Sequence, residues 1–462
     1  MAVEGRIYKP IVNRDLCQRC SVCVRECPAE YLSDLRNDEN TVRGYVYTHT
    51  DLAAREIVPP CVGSCPLGQQ VRDYVQLLAA GKVKEALLVI RQDNPLPGVC
   101  GYVCHHPCEQ ACARGSWDDP VSIRELKRYA VYYEIDHRKE IVAVLKEYMK
   151  PVRGKKVGIV GAGPAGCACA YELAMQGYTV SVMDALDKPG GMLVGAIPPF
   201  RLPRHIINHD VDIIRSLGVK FISSIRIGED EIRKNDFDAF VLATGTWKDK
   251  TLDVEGEDTP GCIKCLDFLN TVNAGGSIKL SGTVVVIGGG NAAIDTARTA
   301  LRMGSKQVIV LYRRSSQEMP ASRDEVKAAL KEGVQIQYLV APKGIVSKDG
   351  KIKGVECIRM ELGEPDEKGR KIPISIPGSD FFQAGDYVIA AIGQRSDISF
   401  LRAGSISERG TIYCGKDGQV KEYEGVFAAG DAVTGPSTVV EAIASGKATA
   451  RSVIRHLEET EL

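Results

Sequence analysis

Nowhere in its 462 residues does this chain approach the run of about 18 apolar residues that a membrane-crossing helix needs, so no membrane association is expected. It also lacks a net charge, because 59 Lys and Arg balance 59 Asp and Glu. That balance argues against nucleic-acid binding, which needs a basic footprint, although a local basic patch for an acidic partner stays open. The opening MAVEGRIYKPIVNRDLC has no apolar core of the secretory kind, and a cytoplasmic protein is expected. The length suits about three domains.

What the chain has in excess is cysteine. Of sixteen, ten fall between Cys17 and Cys112, a density that in a reducing compartment reads as metal or cluster ligands rather than disulfides. Cys17, Cys20, Cys23 and Cys27, followed by Pro28, form C-x2-C-x2-C-x3-C-P. Thiolates spaced so closely grip a [4Fe–4S] cube, the fourth serving the other cluster in two-cluster ferredoxins; a zinc knuckle is the alternative. Farther on come Cys61 and Cys65, then Cys100, Cys104, Cys108 and Cys112 at x3 spacing. Residues 71–92 show helical periodicity broken near Gly81, a helix–turn–helix pair, and residues 122–149 read as further helix. Pro151 and Gly154 mark a linker.

Beyond the linker the pattern changes. KKVGIVGAGPAG (155–166) is a β-branched strand, a glycine turn and a helix start, and TVVVIGGGNAAID (283–295) repeats the unit. Two such openings imply two dinucleotide-binding domains. In the first, Gly161 permits the tight turn, Gly163 lets the backbone approach a pyrophosphate and Gly166 lets the helix pack on the strand. Asp184, ending the next strand, stands where an acid binds ribose hydroxyls. The second turn has Gly288, Gly290 and Ala293. Its next strand ends in Arg313 and Arg314 with no acid, which favours the 2′-phosphate of NADP over NAD; a solvated basic strand end is the bland alternative. A third apolar strand, GVFAAGDAV (425–433), precedes a helix over 437–459.

As a set, the motifs GAGPAG, KPGGML, AIPPFRLPRHII, LATGT, GGGNAAID, YRRSSQEMPA, AAIGQ and FAAGDAVTGPSTVVEAIASGK resemble the small-subunit family of NADPH-dependent glutamate synthase. The module is similar to the flavin subunit of NADH-dependent ferredoxin:NADP oxidoreductase and to the N-terminal part of dihydropyrimidine dehydrogenase. The resemblance covers roughly residues 55–458. It implies an α/β fold of two Rossmann-like dinucleotide-binding domains, the FAD domain split by an inserted NAD(P) domain, preceded by an α-helical iron–sulfur domain. The expected boundaries are a ferredoxin-like cluster segment over 1–50, a helical iron–sulfur domain over 51–150, the FAD domain over 151–280 and 385–462, and the NADP domain over 281–384.

The resemblance also implies roles. Gly161, Gly163, Gly166, Asp184, Gly191 and Met192 would line FAD, with Arg201 and Leu202 beside the flavin. Gly430 and Asp431 would hold its ribityl–phosphate part, and Ser437, Thr438 and Val439 would lie near the isoalloxazine. Thr244 and Gly245 would form the turn where the two domains meet, and Gly288, Gly290, Asn291, Ala292, Arg313 and Arg314 would hold NADP. Cys65 would share a [4Fe–4S] cluster with Cys104 and Cys108, and Cys61 with Cys112. The family's upstream cysteine pair is replaced by Ala53 and Glu56, so Cys17–Cys27 either supply the missing thiolates or hold a third cluster. The first cluster's remaining ligand position is Lys127, a poor ligand while protonated, for which Cys100 or Glu125 could substitute. His105 and His106 read as packing or supporting residues.

The expected activity moves electrons between NADPH and the clusters through FAD, with no catalytic acid or base evident. A redox protein or larger subunit is the expected electron partner in a hetero-oligomer, because no substrate domain is present. The rival is a disulfide reductase using Cys262 and Cys265, the one C-x-x-C outside the cluster region. A subunit whose cofactors only relay current within a larger assembly is a further alternative.

Overall fold

The computed structural model describes residues 58–234, 236–366 and 369–459. Cys17, Cys20, Cys23 and Cys27, the segment over 1–50, and Ala53 and Glu56 lie outside the described residues. The chain divides into two units, one of residues up to 97 plus 106–137, the other of 98–105 plus everything from 138 onward.

The described part of the first unit is helical. α1 (Pro60–Gly63), α2 (Val71–Ala79) and α3 (Val83–Asp93) precede α4 (Pro97–Val103), which is counted with the second unit from Gly98; α5 (Pro107–Gln110) and α6 (Ile123–Asp136) complete the unit. Gly81, at φ +71°, makes the α2–α3 turn in a region that other residues rarely adopt. Apolar positions at helical spacing give each helix one buried face: Val71 and Tyr74 on α2, Ala86, Leu87 and Ile90 on α3, and Ile123, Ala130 and Val131 on α6. Among them Arg91 and Glu134 are wholly buried and joined by a fork, Nε to Oε1 at 2.9 Å and Nη2 to Oε2 at 2.6 Å. The helix expected over 122–149 is two helices, because the chain breaks at His137 before α7 (Arg138–Glu147) begins.

The second unit carries two five-stranded parallel sheets of the same design. In the first, β1 (Lys156–Val160) is followed by α8 (Pro164–Met175), β2 (Thr179–Met183), α9 (Met192–Gly195), α10 (Arg204–Ser216), β3 (Lys220–Ile222), α11 (Glu229–Arg233) and β4 (Ala239–Leu242). After β5 (Lys248–Asp249), the second sheet comprises β6 (Cys262–Lys264), α12 (Cys265–Asn273), β7 (Thr283–Ile287), α13 (Asn291–Arg302), β8 (Gln307–Tyr312), α14 (Arg323–Lys331) and β9 (Gln335–Tyr338). An antiparallel sheet of β10 (Val340–Lys348), β11 (Lys351–Pro365) and β12 (Lys371–Ala384) follows. The chain then returns through β13 (Tyr387–Ala390) and β14 (Gln394–Arg395) to β15 (Val426–Ala428), α15 (Asp431–Thr434) and α16 (Val439–Glu459).

The two parallel sheets have the orders β15-β4-β1-β2-β3 and β6-β13-β7-β8-β9, so the repeated glycine-turn motif marks the same central strand in each. β1 and β7 are almost wholly buried β-branched runs, as a strand covered on both faces requires. The expected boundaries at 281 and 385 cut through the second sheet. β13 pairs with β7, Val388 opposite Val285, and β6 pairs with β13, so both strands belong to the sheet the NADP range was meant to enclose. α16 packs on α8 so closely that a Cβ on Gly446 would stand 2.1 Å from the Ala165 carbonyl oxygen.

Candidate functional site

A cleft of about 730 Å³ opens within the second unit at the carboxyl ends of the first sheet's strands. That is where parallel α/β sheets bind ligands, since the strand-to-helix turns leave backbone amides and helix N-termini pointing outward. Its wall takes Gly161 and Gly163 from the turn after β1, Asp184 from the end of β2, Thr244 and Gly245 from the turn after β4, and Gly430 and Asp431 from the turn after β15. Gly191, Met192, Arg201, Ser437, Thr438 and Val439 line it too, as do Asn291 and Ala292 from the start of α13. Residues expected at two separate dinucleotides thus share one cavity.

The glycines divide by what a side chain would meet. A Cβ on Gly161, at φ +105°, would stand 2.2 Å from the Ala243 carbonyl oxygen, and one on Gly166 would stand 1.9 Å from that of Gly161, so both serve the turn and the helix–sheet contact. On Gly163 the nearest neighbour would be Gly191 Cα at 4.0 Å, and on Gly290 nothing lies within 4 Å. Those two positions leave open space at the N-termini of α8 and α13, a cradle that suits a pyrophosphate. Gly288, at φ +146°, repeats the part of Gly161, with 2.1 Å from its Cβ position to the Ala391 carbonyl oxygen.

Polar groups fit a large polar ligand. The hydroxyls of Thr244 and Thr246 line the cleft, buried and without a partner among the described residues. Asp184 accepts the Ala162 N–H at 2.5 Å and the Leu186 N–H at 2.8 Å, so its carboxylate braces the glycine turn as well as facing the cavity. Burial raises the Asp184 pKa and these two bonds oppose the rise. Asp431 is likewise pushed up by burial, while the Ser437 hydroxyl donates to it at 3.0 Å. Arg201 reaches from the first half to the second, bonding Asp295 and approaching Glu325 at 3.5 Å. Burial pushes Asp295 up to about 7 against the pull of Arg201, and its Oδ1 has no partner among the described residues.

Leu202 is fully buried, and Gly166, Gly288, Gly290, Arg313 and Arg314 are not on the cleft wall. The arginine pair splits: Arg313 is exposed at the end of β8, whereas Arg314 is buried, donates from Nε to the Lys371 carbonyl at 2.8 Å and lies 3.8 Å from Asp366. Cleft residues not singled out from sequence include Thr246, Trp247, Asn270 and Asp295. Thr246 and Asp295 close two motifs already recognised, LATGT and GGGNAAID, and were legible there; Trp247 and Asn270 carried no signal.

No disulfide joins any two of the described cysteines. In the first unit Cys65 and Cys108 are buried, and Cys61 and Cys112 are partly exposed. Cys61 and Cys108 each follow the proline that opens a short helix, and Ser64 Oγ donates to the Pro107 carbonyl at 3.2 Å, tying the two loops together. Among the described residues no three His, Cys, Asp or Glu side chains close on a single ion; a four-iron cube takes its thiolates at separate corners. Tyr74, on which Cys108, Cys65 and Cys61 act electrostatically, keeps a buried hydroxyl without a partner among the described residues, in keeping with an acceptor group beside these cysteines. Glu125 is instead half exposed and bonded to Arg128. His106, at φ +45°, precedes α5 and lies 3.3 Å from Glu109, while Cys100 and Cys104 belong to the second unit, where His105 lines the cleft.

Cys262 and Cys265 do not form a working dithiol. Cys262 packs on the cluster around Val285, Ile309 and Val388, and Cys265 sits in the cluster around Val284, Val308 and Ile389, which are opposite faces of the second sheet. Burial pushes their thiols up to about 11 and about 12, far from the reactive thiolate range, and neither lines the cleft. Replacing both by serine should leave electron transfer from NADPH within about twofold of the parent rate. A thiol titration after NADPH reduction of iron-free protein checks this, and a newly exposed thiol pair would contradict it.

Comparison with known proteins agrees with this geometry. Residues 155–446 match the pyridine nucleotide-disulphide oxidoreductase family, and residues 54–139 match dihydropyrimidine dehydrogenase domain II, 4Fe-4S cluster. The chain is 42% identical to the NADP(+)-dependent formate dehydrogenase subunit beta of Moorella thermoacetica over 87% of its own length and 60% of the relative's. It is 40% identical to the NADPH-Fe(3+) oxidoreductase subunit beta of Geobacter sulfurreducens, covering 96% of this chain and 70% of that one. To the glutamate synthase [NADPH] small chain of Escherichia coli it is 35% identical, covering 87% and 89%. Among solved structures, Mycobacterium tuberculosis FprA in complex with NADPH shares the fold, with a TM-score of 0.58 and 20% identity over 68% of this chain and 86% of that one. No helix among the described residues is long and apolar enough to cross a membrane. The cofactors are FAD, NADP and a [4Fe–4S] cluster. The chain belongs to the pyridine nucleotide-disulphide oxidoreductase family, in the glutamate synthase small-chain group, with a 4Fe–4S domain ahead of the flavin fold.

Proposed function

We propose that this chain is the flavin subunit of a larger electron-transfer complex, taking electrons from NADPH and passing them to iron–sulfur clusters held by its own cysteines. The observation that carries the reading is the single cleft whose wall joins the two glycine-turn halves, Gly161, Gly163 and Asp184 with Asn291, Ala292 and Asp295. A bound flavin takes up the two electrons of a hydride and releases them singly. The protein's part would be to hold two dinucleotides along the one cleft. Gly163 and Gly290 leave room for the pyrophosphates, the amides opening α8 and α13 meet their charge, and Thr244 and Thr246 offer hydroxyls. Cys61, Cys65, Cys100, Cys104, Cys108 and Cys112 would ligate two clusters, with Cys17, Cys20, Cys23 and Cys27 completing them or holding a third.

The relatives named as a subunit beta or a small chain support an obligate protein partner, either a cluster-bearing redox protein or a larger catalytic subunit. The cytoplasm suits a chain this dense in cysteine, because a reducing compartment keeps thiols available as cluster ligands. Of the arginine pair, Arg313 is the one free to meet a 2′-phosphate, because Arg314 already serves Lys371 and Asp366. Rapid mixing under nitrogen tests the reading. NADPH should bleach the flavin faster than NADH. Arg313→Ala should lower that preference by about tenfold to a hundredfold, the worth of about 1.5–3 kcal/mol in a charged hydrogen bond, and Arg314→Ala should leave it nearly unchanged. Faster reduction by NADH, or equal loss in both variants, would contradict it.

A further inference from the structure

We propose that Gln69 and Tyr74 are positioning residues that donate hydrogen bonds to the sulfur of the iron–sulfur cluster carried by Cys65 and Cys108, and so hold its reduction potential up. The inference rests on the reading that these cysteines are cluster ligands. Gln69 is 2% exposed and its Nε2 already donates to Cys65 Sγ at 3.4 Å. Tyr74, on α2, is wholly buried, and its hydroxyl has no partner among the described residues. A phenol sealed from water without an acceptor is an anomaly in a native interior.

The groups around that phenol narrow the choice of acceptor. Lys127, itself buried, and the sulfurs of Cys108, Cys65 and Cys61 all act on it electrostatically. An ammonium has donors only, whereas sulfur accepts, so the sulfur side of a cluster is what the hydroxyl can satisfy. Two donors on one cluster favour its reduced form, which carries the greater negative charge, and hydrogen bonds to the sulfurs are among the factors that set such potentials. Neither residue was marked by a motif, because a Gln and a Tyr after a Cys-Pro pair read as an ordinary helix start.

The test uses the full chain, reconstituted with iron and sulfide under nitrogen, with Tyr74→Phe removing only the hydroxyl and Gln69→Leu removing the amide. Iron and sulfide per chain are measured beside an EPR-monitored redox titration. Each variant should keep its iron. At the parent midpoint potential, its ratio of reduced to oxidised cluster should fall to about one-tenth of the parent value, equivalent to ~59 mV for a one-electron couple. A shift in one variant alone supports that residue. Full iron with both midpoints unmoved would overturn the proposal, as would loss of iron from both variants, which would make the residues builders of the site rather than tuners of it. A parent chain that takes up no iron would overturn the ligand reading instead, and the proposal with it.

Discussion

Gly163→Val should empty the chain of flavin without unfolding it. The backbone there is extended, at φ −71° and ψ −178°, which a β-branched residue adopts readily, and a Cβ would meet nothing closer than 4.0 Å. The cost to the fold should therefore stay below about 1 kcal/mol. The added methyls instead occupy the space at the N-terminus of α8, where the backbone must come close to a pyrophosphate. Flavin affinity should fall by more than about a hundredfold, over ~2.7 kcal/mol. Gly161→Ala is the contrasting control. Its Cβ would stand 2.2 Å from the Ala243 carbonyl oxygen at a backbone angle of +105°, so it should lose stability along with flavin. Visible absorbance of the purified protein and its melting temperature separate the two. Parent-level flavin in Gly163→Val would show that this turn does not hold the dinucleotide.

The second large effect is on stability. Arg91→Met should cost about 3–5 kcal/mol, because it strands the Glu134 carboxylate in an interior where neither partner is exposed. It also removes the donor that holds the Pro95 carbonyl at 2.5 Å. Adding Glu134→Leu should recover most of the loss, since what destabilises the single variant is the unpaired charge rather than the missing contact. Urea unfolding followed by far-ultraviolet circular dichroism measures both. A single-variant cost under about 1 kcal/mol would mean the pair behaves like an exposed ion pair.

The features legible in the sequence were those set by local chemistry. Glycines that need a tight turn, β-rich runs polar only at their first residue, and an acid about 20 residues beyond a glycine turn announce themselves within one βαβ unit. The α2–α3 hairpin was legible for the same reason, with Gly81 between two amphipathic stretches. What was hidden depended on residues far apart in the chain. β13 was not read as a strand from the sequence, and only its pairing with β7, about 100 residues earlier, assigns it to the second sheet. Arg314 looked equivalent to Arg313 until β12 supplied the Lys371 carbonyl that occupies it. Asp184 carried its expected position, but the amide of Ala162 that it accepts was not written in the spacing. The long antiparallel strands β11 and β12 carry mixed polar and apolar residues with no run marked enough to declare a sheet.

The most direct test of electron passage from NADPH to clusters is an anaerobic titration of the purified chain with NADPH, read at once by flavin absorbance and by EPR. The chain should consume more than one NADPH per flavin, and the signal of a reduced [4Fe–4S] cluster should grow as the titration proceeds. Consumption that stops at one NADPH per flavin, with iron present and no cluster signal, would contradict it.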